Sequence, residues 1–205
     1  MSEVEYHASY VFPQFVFCRR EPNANWTKPE FVKECLSFDY RKNGSNWITL
    51  QTYVLDLPQF KELRDVIQEQ LTKVFKDQYK LNNDEVEIYI TQSWINVNNN
   101  QDFHNEHRHP NSILSGVAYI KTNEDDGITF KDNNFNTRIL IGRDSDYLYQ
   151  SLPVQSGDIV IFDSQLPHMV AATKRKHRRV SLAFNSFIKG TIGNKNGLDE
   201  VKINV

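Results

Sequence analysis

The spacing of apolar and polar positions changes once, decisively, along this chain. Between Pro58 and Tyr79, the residues Phe60, Leu63, Ile67, Leu71, Val74 and Phe75 recur at steps of three and four, with charged residues between them. That period predicts one amphipathic helix lying on a flat surface. After Asn82-Asn83-Asp84 the period drops to two. Val86–Ile90 alternates and Gln92–Val97 follows at once. Short apolar runs then cover Ile113–Ile120, Gly127–Phe130, Arg138–Ile141, Asp158–Phe162 and Val180–Ile188, and a last alternation at Val201–Val205 predicts an edge strand. Many short strands broken by Asn, Gly and Pro turns, with one supporting helix, predict a mainly β, double-sheet barrel. The first fifty residues are punctuated by Pro13, Pro22-Asn23 and Asn43-Gly44-Ser45, and read as irregular structure with one or two strands or short helices.

A chain of 205 residues can bury one sizeable core. A single domain over 1–205 is therefore expected, with residues 1–82 as an N-terminal region plus supporting helix and 83–205 as the barrel core. The net charge of −2 argues against a protein built around nucleic acid. Its basic run, Lys174-Arg175-Lys176-His177-Arg178-Arg179, reads as a solvated loop. Two cysteines, Cys18 and Cys35, are too few for a disulfide framework, which points to a reducing cytoplasm. The N-terminus has no apolar core of signal-peptide type, and no apolar stretch reaches bilayer length.

Candidate chemistry concentrates in His104-Asn105-Glu106-His107-Arg108-His109-Pro110, which holds three of the six histidines and a carboxylate; a fourth histidine follows in Leu166-Pro167-His168-Met169-Val170. His7 and His177 sit among polar or basic neighbours. A close pair on one strand plus a distant single histidine is how a β-barrel builds a three-point metal face with open positions. Two ligand sets compete. His104-x-Glu106 with His168 matches the two-histidine, one-carboxylate triad that binds ferrous iron, whereas His107-x-His109 with His168 is an all-histidine set, less usual but chemically adequate for Fe(II). The turn Pro110-Asn111-Ser112 favours the second. In an extended segment His107 and His109 share one face, and His104 and Glu106 the other.

On the strand Arg179-Val180-Ser181-Leu182, Arg179 and Ser181 share a face. An arginine facing into a barrel needs an anion, because an unpaired buried charge costs several kcal/mol. A guanidinium fork plus a hydroxyl suits a carboxylate, so the pair reads as a dicarboxylate clamp near the metal. The competing readings put Arg179 in the solvated basic loop, or pair it with Asp158 or Asp163. Trp94 and Phe130 read as core packing, with barrel lining as the alternative.

Taken together, Ser93-Trp94-Ile95-Asn96, His107-x-His109-Pro110-Asn111-Ser112-x-x-Ser115-Gly116-Val117-x-Tyr119, Gly157-Asp158-Ile159-Val160-Ile161-Phe162-Asp163-Ser164, Leu166-Pro167-His168-x-Val170 and Arg179-Val180-Ser181-Leu182-Ala183-Phe184-Asn185 resemble the 2-oxoglutarate/Fe(II)-dependent dioxygenase family of the His-x-His-Pro-Asn-Ser type, often phage-encoded. The resemblance runs from about Thr91 to Gly193. It implies a double-stranded β-helix (jelly-roll, cupin-like) core with Fe(II) held by His107, His109 and His168 at one mouth. Arg179 and Ser181 would grip the far carboxylate of 2-oxoglutarate, with Tyr119 a further contact to it. The wider superfamily's His-x-Asp/Glu pair is replaced by His107-x-His109, which keeps Glu106 open as the alternative ligand; His104 is read as a surface residue or a support behind the ligands. The implied partners are dioxygen and an unidentified substrate, a small molecule or a protein side chain, met in the cytoplasm (the host's, if phage-encoded). The rival classes are a cupin-like metal protein that needs no cosubstrate, and a structural or virion-associated protein whose metal site has decayed.

Overall fold

The computed structural model describes residues 14–80, 85–132, 148–172 and 178–204. His7, the expected strand Arg138–Ile141 and the basic stretch from Lys174 to His177 lie outside the described residues. The predicted helix is present as a short 3-10 turn, Pro58–Phe60, running into α2 (Lys61–Tyr79). A shorter helix, α1 (Pro29–Leu36), starts with Pro at its first position, where the missing N–H costs nothing. No helix among the described residues is long and apolar enough to cross a membrane.

The strands form two antiparallel sheets. The first eight strands in chain order are β1 (Val16–Arg20), β2 (Tyr40–Asn43), β3 (Asn46–Thr49), β4 (Val86–Asn98), β5 (His104–His107), β6 (Leu114–Lys121), β7 (Gly127–Lys131) and β8 (Tyr149–Pro153). They are followed by β9 (Asp158–Asp163), β10 (His168–Val170), β11 (Arg179–Ile192) and β12 (Val201–Ile203). The large sheet runs β1-β9-β6-β11-β4-β3-β2, with β12 on the far end of β11; the small sheet runs β5-β10-β7-β8. The two runs before and after Thr91 are one continuous strand, β4, and the N-terminal region supplies three strands to the large sheet.

Alternation along the large sheet separates two surfaces. Ile95, Leu114, Ala118, Ile120, Ile159, Ile161, Val180, Leu182 and Phe184 face the helices and pack with Leu63, Ile67, Leu71, Val74 and Phe75 of α2. Each such side chain contributes roughly 1.5–3 kcal/mol on burial. The residues between them, Val117, Tyr119, Val160 and Phe162, face the small sheet and meet Ile128 and Phe130 of β7. Gly116 is required where β6 crosses this layer: a Cβ there would lie 2.3 Å from the Phe184 ring and 2.5 Å from the Val160 carbonyl oxygen. Two facing antiparallel sheets with helices on one outer surface constitute a double-stranded β-helix, the mainly β fold that the alternation predicts. Their inner faces enclose a cavity of about 460 Å³.

Candidate metal centre

Strands β5 and β10 pair antiparallel, with His168 directly opposite His107. The chain leaves β5 at His107, and His109 follows two residues later, just before the turn at Pro110-Asn111; Asn111 takes φ 56°, a left-handed conformation that asparagine tolerates better than most residues. The ring centroids of His107 and His168 are 4.3 Å apart, those of His109 and His168 5.0 Å, and those of His107 and His109 5.1 Å. One ring nitrogen from each of the three lies within 4.8 Å of the others. The backbone of His109 is fixed at both ends: its N–H donates to the Ser164 carbonyl at 2.9 Å, and its carbonyl accepts from Gln165 Nε2 at 3.1 Å.

The hydrogen bonds define which nitrogens are bare. Nδ1 of His168 faces the Leu166 carbonyl at 2.9 Å, and Nδ1 of His107 faces the Asn105 carbonyl at 2.7 Å. A carbonyl only accepts, so both Nδ1 atoms carry a proton, which leaves each Nε2 as the ring atom able to coordinate a metal. Nε2 of His109 stands 3.2 Å from Nε2 of His168. Burial pushes the His168 imidazole down to about 3, with the neighbouring histidines adding to the effect, and the His109 imidazole down to about 4. At neutral pH these two rings are neutral, and at this range one Nε2 can donate to the other or both can face a shared cation. Three converging imidazoles suit iron, nickel, copper or zinc.

The extended-segment expectation fails for His104. The β5–β10 pairing matches Val170 with His104 after matching His168 with His107, so β5 carries one extra residue across that interval. Such a bulge re-aims side chains, and His104 lines the same cavity as His107 instead of the opposite face. Its Nε2 pairs with Asn98 Oδ1 at 3.1 Å, and burial, followed by the nearby Arg179 charge, pushes its imidazole down to about 3. Glu106 points away. Its carboxylate accepts from Lys131 Nζ at 3.0 and 3.1 Å and stands outside the histidine cluster.

Register on the inner face of the large sheet explains the other half of the cavity. Arg179 lies opposite Asn98, and Ser181 lies between Asn96 and Tyr119. Arg179 is 3% exposed, so it is no part of a solvated loop. Asp158 is taken instead by Arg20, whose Nε and Nη2 donate at 2.7 and 2.9 Å, and Asp163 Oδ1 accepts from the Gln165 N–H. Arg179 sits over the Tyr119 ring at 5.2 Å and donates through Nη1 to the Gly127 carbonyl at 3.3 Å. Its Nε and the Tyr119 hydroxyl are buried without a hydrogen-bond partner among the described residues. Burial pushes the Tyr119 phenol up to about 12, partly offset by Arg179, so it is a donor. Two orphaned donors on one wall of a cavity, one of them cationic, are chemistry suited to an anion.

A buried hydroxyl cluster behind the histidines was not foreseen from the sequence. Ser164 Oγ donates to Ser112 Oγ at 2.8 Å and lies 2.7 Å from Ser115 Oγ, which donates to Asn185 Oδ1 at 2.9 Å. Ser186 Oγ donates to the Leu114 carbonyl at 2.6 Å, and its backbone N–H donates to Ser112 Oγ at 3.2 Å. These bonds tie the loop after His109 to the loop before His168 and to β11.

The comparisons fall in line with this geometry. Residues 92–185, the stretch from β4 into β11, match the family described as "Putative 2OG-Fe(II) oxygenase". No curated protein matches the chain by sequence. Among solved structures, HygX from Streptomyces hygroscopicus, crystallised with nickel, 2-oxoglutarate and hygromycin B, superposes with a TM-score of 0.60 at 11% identity, over 84% of this chain and 82% of its own. A Pseudomonas putida prolyl-4-hydroxylase gives 0.58 at 13% identity over 84% and 92%. The epimerase SnoN, in complex with Fe3+, alpha ketoglutarate and nogalamycin RO, gives 0.62 at 10% identity over 92% and 86%. Likeness at such identities establishes the shared double-stranded β-helix fold.

Proposed function

We propose that the chain, working as one unit of 205 residues, is a 2-oxoglutarate- and Fe(II)-dependent dioxygenase that hydroxylates a substrate with release of succinate and carbon dioxide. The observation that carries this reading is the coexistence, in one cavity, of three converging imidazoles and an inward arginine whose Nε has no partner among the described residues. His107, His109 and His168 would hold the metal through their ring nitrogens. Arg179, with Ser181 beside it and Tyr119 beneath it, would hold the far carboxylate of the cosubstrate. The match of residues 92–185 to the oxygenase family supports the same assignment, as do the metal and 2-oxoglutarate that the structural neighbours carry. When bound, ferrous iron and 2-oxoglutarate supply the activation of dioxygen and the two electrons released by oxidative decarboxylation. The protein's share is orientation and exclusion of water. The Leu166 and Asn105 carbonyls fix the tautomers of His168 and His107, the Ser164 carbonyl fixes the His109 backbone, and Phe162, whose ring is 4.6 Å from that of His168, shields it on one side.

Anaerobic addition of Fe(II) and 2-oxoglutarate should give a visible metal-to-ligand charge-transfer band, lost in His168→Ala and in Arg179→Ala. Wild-type protein that binds iron stoichiometrically and gives no such band overturns the reading. The all-histidine donor set favours one second reading, a cupin-like metal protein without a cosubstrate. That reading leaves the buried Arg179 without an anion, and it requires iron binding that 2-oxoglutarate does not tighten.

A further inference from the structure

The metal-facing histidines and the Arg179 clamp account for only part of the cavity lining. The remainder is built from the β2–β3 hairpin tip, Asn43-Gly44-Ser45-Asn46, from Trp94 and Asn96 on the inner face of β4, and from Phe103. Resting on the oxygenase reading, we infer that this wall, which begins beside Ser181, is a substrate subsite for an uncharged carboxamide, with Asn96 as its hydrogen-bonding partner and Trp94 and Phe103 as its aromatic surfaces.

Charge sets the first limit on the substrate. The lining contains no Asp, Glu or Lys among the described residues, and its one permanent charge is Arg179. With that guanidinium engaged by the cosubstrate, no second side-chain cation among the described lining residues meets a substrate carboxylate or phosphate. An ammonium finds no carboxylate among them and would be desolvated beside a cationic centre, at a cost of several kcal/mol. A neutral group needs neither partner.

Hydrogen bonding narrows it further. Asn96 is 5% exposed, and its Oδ1 accepts from Asn46 Nδ2 at 3.0 Å. Its Nδ2 has no acceptor among the described residues, and Oδ1 keeps a second lone pair. A buried side chain offering one donor and one acceptor in the same plane is matched edge to edge by another carboxamide. Two aromatic side chains line the same cavity. The Trp94 ring is 6.1 Å from that of His109, and Phe103 keeps 41% of its surface exposed while lining the cavity. Such planes suit a flat neutral group.

The wall is held in place before any ligand arrives. Gly44 turns the hairpin tip at φ +63°. Ser45 Oγ accepts from the Phe103 N–H at 3.2 Å and donates to Asp102 Oδ1 at 3.4 Å, and Asp102 Oδ2 accepts from the Asn99 N–H at 2.8 Å. The tip and the Phe103 segment therefore form one braced rim, which lowers the ordering cost of binding.

The test titrates small probes into the anaerobic Fe(II)–2-oxoglutarate complex and follows perturbation of its visible band, with calorimetry in parallel. The probes are N-acetyl-asparagine methylamide, its aspartate and lysine counterparts, adenosine, and a blocked peptide with a central asparagine. The asparagine probe should perturb the band with an apparent Kd at least tenfold lower than either charged probe or adenosine. Comparison with the peptide then tells a free carboxamide from a polypeptide-borne one. Asn96→Ala and the exposed-rim variant Phe103→Ala should each weaken that response at least fivefold while keeping the cosubstrate band. Equal response to the charged probes, preference for adenosine, no response to any probe, or loss of the cosubstrate band in Asn96→Ala overturns the subsite. A wild-type protein without the band fails the oxygenase reading instead; calorimetric binding of the asparagine probe, sensitive to Phe103→Ala, would then still support the subsite.

Discussion

Replacing Arg179 with methionine should stabilise the ligand-free protein and abolish its response to 2-oxoglutarate. The guanidinium is almost wholly buried, makes one 3.3 Å bond to the Gly127 carbonyl and leaves Nε without a partner among the described residues. Exchanging an under-satisfied buried ion for an apolar side chain of similar volume commonly gains about 1–4 kcal/mol. At this chain length each kcal/mol moves the melting temperature by roughly 2–4 °C, so Arg179→Met should melt several degrees above wild type in the absence of ligands. With a divalent metal and 2-oxoglutarate at a hundredfold its Kd, wild type should gain about 2.7 kcal/mol by mass action. Arg179→Met should gain nothing from the cosubstrate, so the gap closes by about 2.7 kcal/mol and the order of stability reverses wherever the ligand-free gain is smaller than that. Thermal unfolding with and without 2-oxoglutarate measures both halves. A variant that melts below wild type without ligand, or that keeps a cosubstrate-dependent shift, would refute the view that this arginine is a charge held for an absent anion.

Ser164→Ala removes a donor to Ser112 and a partner of Ser115 inside a buried cluster, and should cost about 1–3 kcal/mol in urea unfolding together with a measurable loss of metal affinity; unchanged affinity would detach the cluster from the histidines. Gly116→Ala forces a methyl group against the Phe184 ring and the Val160 carbonyl, so a loss of about 1–3 kcal/mol or more is expected, and a neutral outcome would mean that β6 shifts freely. For the metal-free protein, His104, His109 and His168 are held below their ordinary value of 6.5. The unfolded chain then binds protons that the fold refuses, and stability falls as pH drops below 6.5 toward about 4, by at most about 1.4 kcal/mol per pH unit for each histidine. Urea midpoints that are equal at pH 7 and pH 5 would contradict this.

The fold was legible wherever one side of an element is apolar. The helix, β4, β6, β9 and β11 all carry a period that burial alone explains. β5 and β8 did not show themselves. His-Asn-Glu-His contains no apolar residue, and Tyr-Gln-Ser-Leu-Pro is an edge strand with little to bury. The hairpin of β2 and β3 is similarly polar on β2, so pairing with β4, not local pattern, determines it. At the site, the inward arginine could be anticipated from alternation along β11 and the histidine pair from its spacing, although β5 ends at His107 and His109 lies beyond it. The bulge that turns His104 inward could not, since one extra residue in a ladder leaves no compositional mark. Nor could the serine cluster, whose members are single residues scattered from position 112 to 186 and acquire meaning only when folding gathers them.

The strand that bears His104 and His107 is also the weakest fastened part of the molecule's small sheet. β5 has four residues and forms one border of that sheet, joined among the described residues only to the three-residue β10 across an interrupted ladder. An ion gripped from both strands at once would act as a rivet through that border. Amide hydrogens of β5 should accordingly exchange quickly in metal-stripped protein and slow sharply on reconstitution, with α2 and the broad sheet indifferent to the change. Metal loading and the closing of this margin would then be one event, and proteolytic clipping near residue 105 a gauge of how much of a preparation is charged.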